Sequence, residues 1–145
     1  MPRIGLSIPV ICAVDAVIET EMDIYAPCAL GATLTTETTA KLTCKLICGA
    51  ANNQLATPEI ANELHARGIR YLPDFVVNAG GIISVASEIH KRGHDYRKTR
   101  LNGLSKRIED ILSISRASGK TTTQVAHDMV KNIVAQAAIR KKGTQ

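Results

Sequence analysis

The apolar positions of this chain change their period several times. Three short runs, DIYAPCA (23–29), KLICGAA (45–51) and IRYLP (69–73), are nearly continuous in apolar side chains and predict strands. The central run suits a parallel strand buried on both faces. Between the second and third runs, TPEIANELHARG (57–68) switches to helical spacing. Thr57 is placed to cap this helix, Pro58 fits its first turn, Ile60 and Leu64 share a face, and Gly68 ends it. Strand, helix and strand at this length predict a βαβ unit with parallel strands and a right-handed crossover. The Thr-rich stretch TLTTETTAKLT (33–43) reads as a loop entering a short helix.

After the third strand, the spacing from Ala79 onward predicts a helix with Asn78 as its N-cap and Gly93 as its end. Ile82, Val85, Ala86 and Ile89 form one stripe on it. Gly80 and Gly81 fall in its first turn, where each costs about 1 kcal/mol relative to Ala. Glycines kept at such a cost usually admit a backbone or a ligand at close range. Two more helices follow. LNGLSKRIEDILSISRASG (101–119) carries Leu104, Ile108, Ile111, Leu112 and Ser115. TTTQVAHDMVKNIVAQAAIRKK (121–142) opens with a Thr121/Gln124 capping box and repeats Val125, Met129 and Ile133.

Each predicted strand is followed by an unusual segment: CALGA, GAANNQL and NAGG. In open parallel sheets ligands sit beyond the carboxyl ends of the strands, so these segments are expected to line one crevice. Asn52 and Asn53 admit two readings there, as ligand-facing amides or as turn residues that tolerate left-handed backbone angles.

Length and composition narrow the classes. At 145 residues, with 45% hydrophobic and 21% charged positions, the chain fits one ordinary globular domain. Its four cysteines are scattered, three of them in apolar surroundings, which suggests reduced, buried thiols and a cytoplasmic protein. No second Cys/His pair stands at zinc spacing, so no metal is expected. A secretory reading of MPRIGLSIPVICAVDA is weakened by Pro9 and by the acids Asp15, Glu19 and Glu21. No apolar run approaches bilayer length, so no membrane span is expected. Residues 1–89 carry five Lys/Arg against nine Asp/Glu, while residues 90–145 carry thirteen against four. The basic run HKRGHDYRKTR (90–100) could track phosphates, but with four aromatics in the whole chain a solvated face is expected rather than a nucleic-acid platform. His90 and His94, four apart with Gly93 between them, read as surface histidines.

DIYAPCALGA, GAANNQL and PDFVVNAGG, in this order and spacing, resemble the glutamate, leucine, phenylalanine and valine dehydrogenase family, most of all its leucine dehydrogenase branch. The likeness runs from about Asp23 to the C-terminus; residues 1–22 match poorly. It implies an α/β fold, the later half of a Rossmann-type parallel sheet of βαβ units, followed by C-terminal helices. It also implies NAD as cofactor, and oxidative deamination of a leucine-like aliphatic L-amino acid to its 2-oxo acid and ammonia. By the same resemblance, Ala29, Leu30, Ala50, Ala51 and Asn52 border the nicotinamide and its ribose. Asn52, Asn78, Gly80, Gly81, Ile82 and Val85 face the substrate, with core packing the other reading of Ile82 and Val85. The family's catalytic lysines and its G-x-G-x-x-G phosphate turn have no counterpart here, so no catalytic residue is assigned. The expected partner is a missing N-terminal substrate domain, and the full-length protein is expected to form a homo-oligomer. The alternative is a catalytically dead nucleotide-binding or regulatory module of the same fold.

Overall fold

All three predicted strands form, each shortened to two residues near the start of its run. The structure, a computed structural model, describes residues 11–142, so expectations about the first ten residues lie outside it. β1 (Ile24–Tyr25), β2 (Leu46–Ile47) and β3 (Arg70–Tyr71) make a parallel sheet in the order β1-β2-β3. Its register pairs Tyr25 with Ile47 and Ile47 with Tyr71. Side chains alternate along a strand, so these three share a face. They meet Leu34, Leu42, Cys44, Ile60, Leu64 and Ile69 in the main core.

The other face departs from expectation. Ile24 is 57% exposed, Leu46 is half-buried and Arg70 is exposed. The continuous apolar character of KLIC predicted burial on both faces, yet among the described residues nothing packs fully over this one.

α1 (Thr36–Lys41) connects β1 to β2, and α2 (Ile60–Ala66) connects β2 to β3. α1 starts on a Thr35/Thr38 capping box, and Arg67 ends it by donating to the carbonyls of Thr39 and Leu42. α2 begins two residues later than a Thr57 cap would place it. Thr57 and Pro58 supply carbonyls to Ile60 and Ala61 in a tight turn, and the Thr57 hydroxyl instead bonds Glu59, holding that carboxyl below its usual value. The end of α2 is as predicted: Gly68 takes φ 74°, Ile69 N–H reaches Leu64 C=O at 2.9 Å, and Leu64 and Ile69 share the core.

The segment after β3 differs from its prediction. α3 (Asp74–Val77) is a separate turn, and Asn78 is its C-cap, donating its N–H to Asp74 at 2.8 Å. It is therefore not the N-cap of α4 (Gly80–Ile89), which has no side-chain cap. Gly93 does not end α4 either. Lys91, at φ 49°, turns the chain, Ser87 Oγ bonds Arg92 C=O at 2.8 Å, and Gly93 caps α5 (His94–Ser118). The basic run thus enters the helix seven residues before Leu101, with Tyr96 flanked by the guanidiniums of Arg92 and Arg100. His90 and His94, both exposed, fall on different elements. α6 (Thr122–Lys142) opens on the predicted box: Thr121 N–H to Gln124 Oε1, and Gln124 N–H to Thr121 Oγ, both 3.1 Å.

A second, smaller core joins Val76, Ile111, Val125 and Ala126, with Ile108 and Met129 against it. Of the α5 stripe, Ile111 and Ser115 are buried and Leu104, Ile108 and Leu112 half-buried. The stripe of α6 is buried only at its start, since Ile133 is 52% exposed. The four cysteines are free. Cys44 is buried and Cys48 half-buried, but Cys12 and Cys28 are exposed, against the expectation of buried thiols.

Candidate functional site at the carboxyl ends of the strands

The first two strand-end segments are joined mainly through their backbones, and the third reaches them through the Asn78 side chain. Pro27 C=O accepts the Ala51 N–H at 2.9 Å, Asn53 C=O accepts the Ala32 N–H at 2.7 Å, and Cys28 Sγ accepts the Ala50 N–H at 3.4 Å. The loops lie so close that a Cβ at Gly31 would stand 2.6 Å from Asn52 O, and one at Gly49 would stand 2.1 Å from Pro27 O. Only glycine fits at either position.

Beneath this contact lies a residue that the amide-centred reading passed over. Gln54 is fully buried, and its Nε2 donates to Gly49 O at 2.8 Å and Ala51 O at 2.9 Å. A side chain that satisfies two carbonyls of its own loop fixes the shape of that loop. The signal was present in GAANNQL: a third amide, placed after the exposed pair and before the half-buried Leu55.

Asn52 and Asn53 divide the two readings between them. Asn53 takes φ 51°, the left-handed angle of a turn residue. Asn52 is exposed, and its Oδ1 accepts from Asn78 Nδ2 at 2.7 Å, joining the second strand end to the third. With those two atoms engaged, the Asn52 NH2 and the Asn78 carbonyl oxygen have no partner among the described residues. The pair thus presents donors on one arm and an acceptor on the other. That pattern complements a primary carboxamide, or an ammonium beside a carboxylate.

The remaining predicted residues are placed less uniformly. Ala29, Leu30 and Ala50 are exposed, whereas Ala51 is 4% exposed and has both its N–H and its C=O bonded within the loops. A Cβ at Gly81 would meet open space, and one at Gly80 only Leu101, at an ordinary 3.8 Å. Packing within the described residues therefore does not require either glycine. Ile82 and Val85 are 71% and 54% exposed, so neither belongs to a core formed by the described residues. α4 instead turns Gly80 and the buried Ser87 inward and presents its large apolar residues outward. Ile82 and Val85 lie on α4, which begins two residues after Asn78.

No helix among the described residues is long and apolar enough to cross a membrane. At the site the half-buried Cys48 thiol is pushed up chiefly by burial and then by the nearby Cys28.

Comparison with known proteins agrees with this architecture. A valine dehydrogenase of Streptomyces albus is 41% identical over 136 residues, covering 93% of this chain and 37% of its own. A leucine dehydrogenase of Bacillus subtilis is 43% identical over 105 residues, covering 72% of this chain and 29% of its own. The crystal structure of L-tryptophan dehydrogenase from Nostoc punctiforme superposes with a TM-score of 0.81 at 31% identity, over 86% of this chain and 38% of that one. The chain thus spans 29–38% of the length of these relatives. The sequence profile of the glutamate/leucine/phenylalanine/valine dehydrogenase family matches residues 8–142. With that match spanning nearly the whole chain, and a parallel sheet whose strand ends meet as described, the chain belongs to the glutamate/leucine/phenylalanine/valine dehydrogenase family.

Proposed function

We propose that this chain is the nicotinamide- and substrate-facing part of an NAD-dependent L-amino-acid dehydrogenase acting on leucine, valine or isoleucine. The observation that carries the reading is the Asn78–Asn52 bond of 2.7 Å, which leaves one donor group and one acceptor facing outward at the strand ends. Those atoms fit the nicotinamide end of the cofactor: the Asn52 NH2 can hold a carboxamide oxygen, and the Asn78 oxygen can hold a carboxamide or substrate N–H. Gly80 and Gly81 leave room beside them, and the exposed Ala29, Leu30 and Ala50 border the ribose side. When bound, the nicotinamide supplies the hydride-accepting group. What this chain does is orient; it offers no lysine at the amide pair and no glycine-rich phosphate turn, so the pyrophosphate end and the general base must come from elsewhere.

Ile82 and Val85 support the aliphatic preference. A carboxylate buried against them without a partner would cost several kcal/mol, whereas an alkyl group gains about 0.8 kcal/mol per buried methylene. In this reading residues 23–145 are a partial NAD-binding domain, and an N-terminal substrate domain completes a cytoplasmic homo-oligomer.

The test joins residues 23–145 to the N-terminal part of a valine dehydrogenase relative. The expected result is NAD reduction with leucine or valine exceeding that with glutamate, and lost in Asn52→Ala. Faster turnover of glutamate than leucine would sink the substrate assignment. Amino-acid-dependent NADH formation by the purified chain alone would sink the claim that it is incomplete.

A further inference from the structure

A cavity of about 330 Å³ opens at the edge of the sheet, between α2, the start of β3, the end of α5 and the start of α6. It is separate from the amide pair, because Arg70 begins β3 whereas Asn52 and Asn78 follow strand ends. His65, Arg70 and Arg116 line it, and no Asp or Glu does. Lys41, Lys45, Lys106 and Lys120 each hold a carboxylate within 3.1 Å. Arg70 and Arg116 have no ion pair among the described residues, so two guanidiniums from distant parts of the chain share one cavity without compensation.

The amino end of α6 opens into the same space. Thr121 is 6% exposed, and its Oγ accepts the Gln124 N–H, which leaves the hydroxyl proton to donate. The Thr122 hydroxyl is already bonded to Tyr71 C=O. A helix of this length adds a positive field at its start. Each of these features favours an anion, and planar guanidinium forks match phosphate oxygens in particular.

We propose that this cavity binds a small phosphorylated anion, held by Arg70 and Arg116 with Thr121 and the start of α6. Several charged oxygens bridging the two arginines would relieve the repulsion between them. The inference does not depend on the dehydrogenase reading, and its test involves neither an amino acid nor a nicotinamide.

Inorganic pyrophosphate is titrated into the full chain by calorimetry at low salt, with amide shifts followed by NMR. The expected result is saturable binding with shifts centred on Ile69–Tyr71 and Thr121–Thr123. Arg70→Gln with Arg116→Gln should weaken binding at least about tenfold. Lys91→Gln with Lys98→Gln removes the same charge from exposed positions outside the cavity and should change it by less than roughly twofold. Arg70→Lys with Arg116→Lys keeps the charge and should retain measurable binding, which separates loss of the site from loss of the fold. Absence of saturable binding at millimolar pyrophosphate would overturn the proposal, as would equal weakening by the two glutamine pairs.

Discussion

Two helices of this molecule carry apolar residues at the same spacing and use them in opposite ways. α2 sinks Ile60 and Leu64, at 2% and 0% exposure, into the main core. α4 leaves Ile82, Val85 and Ile89 at 71%, 54% and 71% exposure and packs its small residues toward α5. The period identifies a helix and an apolar face in both cases. What covers that face depends on the rest of the sheet and on whatever else the functional protein brings to it. α2 is tied down on both sides, by the strands it connects and by the Gly68 turn that returns Ile69 to the core. α4 begins where the strand-end loops meet and, among the described residues, packs mainly against α5.

The contrast can be broken by measurement. Leu64→Ala should cost about 3 kcal/mol in urea unfolding, because the site is fully buried among side chains from both crossovers. A cost near that of an α4 substitution would mean that the main core is not the stabilising one. Gly31→Ala tests the strand ends, where a Cβ would press on Asn52 O; a loss of about 2 kcal/mol is expected, with amide shifts spreading through residues 49–54. Val85→Ser and Ile82→Ser should each change stability by less than about 0.5 kcal/mol, as exposed positions do. A loss several times larger would restore the core-packing reading of that stripe.

The smallest effect concerns the thiols. Burial pushes the Cys44 and Cys48 thiols up, so less thiolate is present at neutral pH and labelling by an alkylating reagent should be slow at both. Cys28, exposed at the end of β1, should react ahead of Cys44. Equal rates would indicate that the main core opens as readily as the strand ends.

Much of the fold is legible in the amino acids. The three strands, the α2 crossover with its Gly68 terminator and the Thr121/Gln124 box are local features, and each is decided by backbone angles and hydrogen bonds within a few residues. The boundaries that moved did so for reasons outside that range. Asn78 reads as an N-cap beside a glycine pair, but its amide is engaged by Asn52, twenty-six residues away in sequence. The basic run before Leu101 has no apolar period of its own and becomes helical around Tyr96, between two arginines.

The sequence by itself determined that an amide pair, a glycine pair and three short apolar strands belong together, because their residue types suit only particular turns and burial. Only the tertiary structure decided which amide does what. Asn53 sits in the left-handed turn and Asn52 is freed to bond Asn78, since parallel pairing of β1, β2 and β3 brings three loops to one edge. It also decided that Gln54 braces those loops and that the stripe of α4 is bare. Both depend on which surfaces meet across the chain, and periodicity along the chain does not encode that.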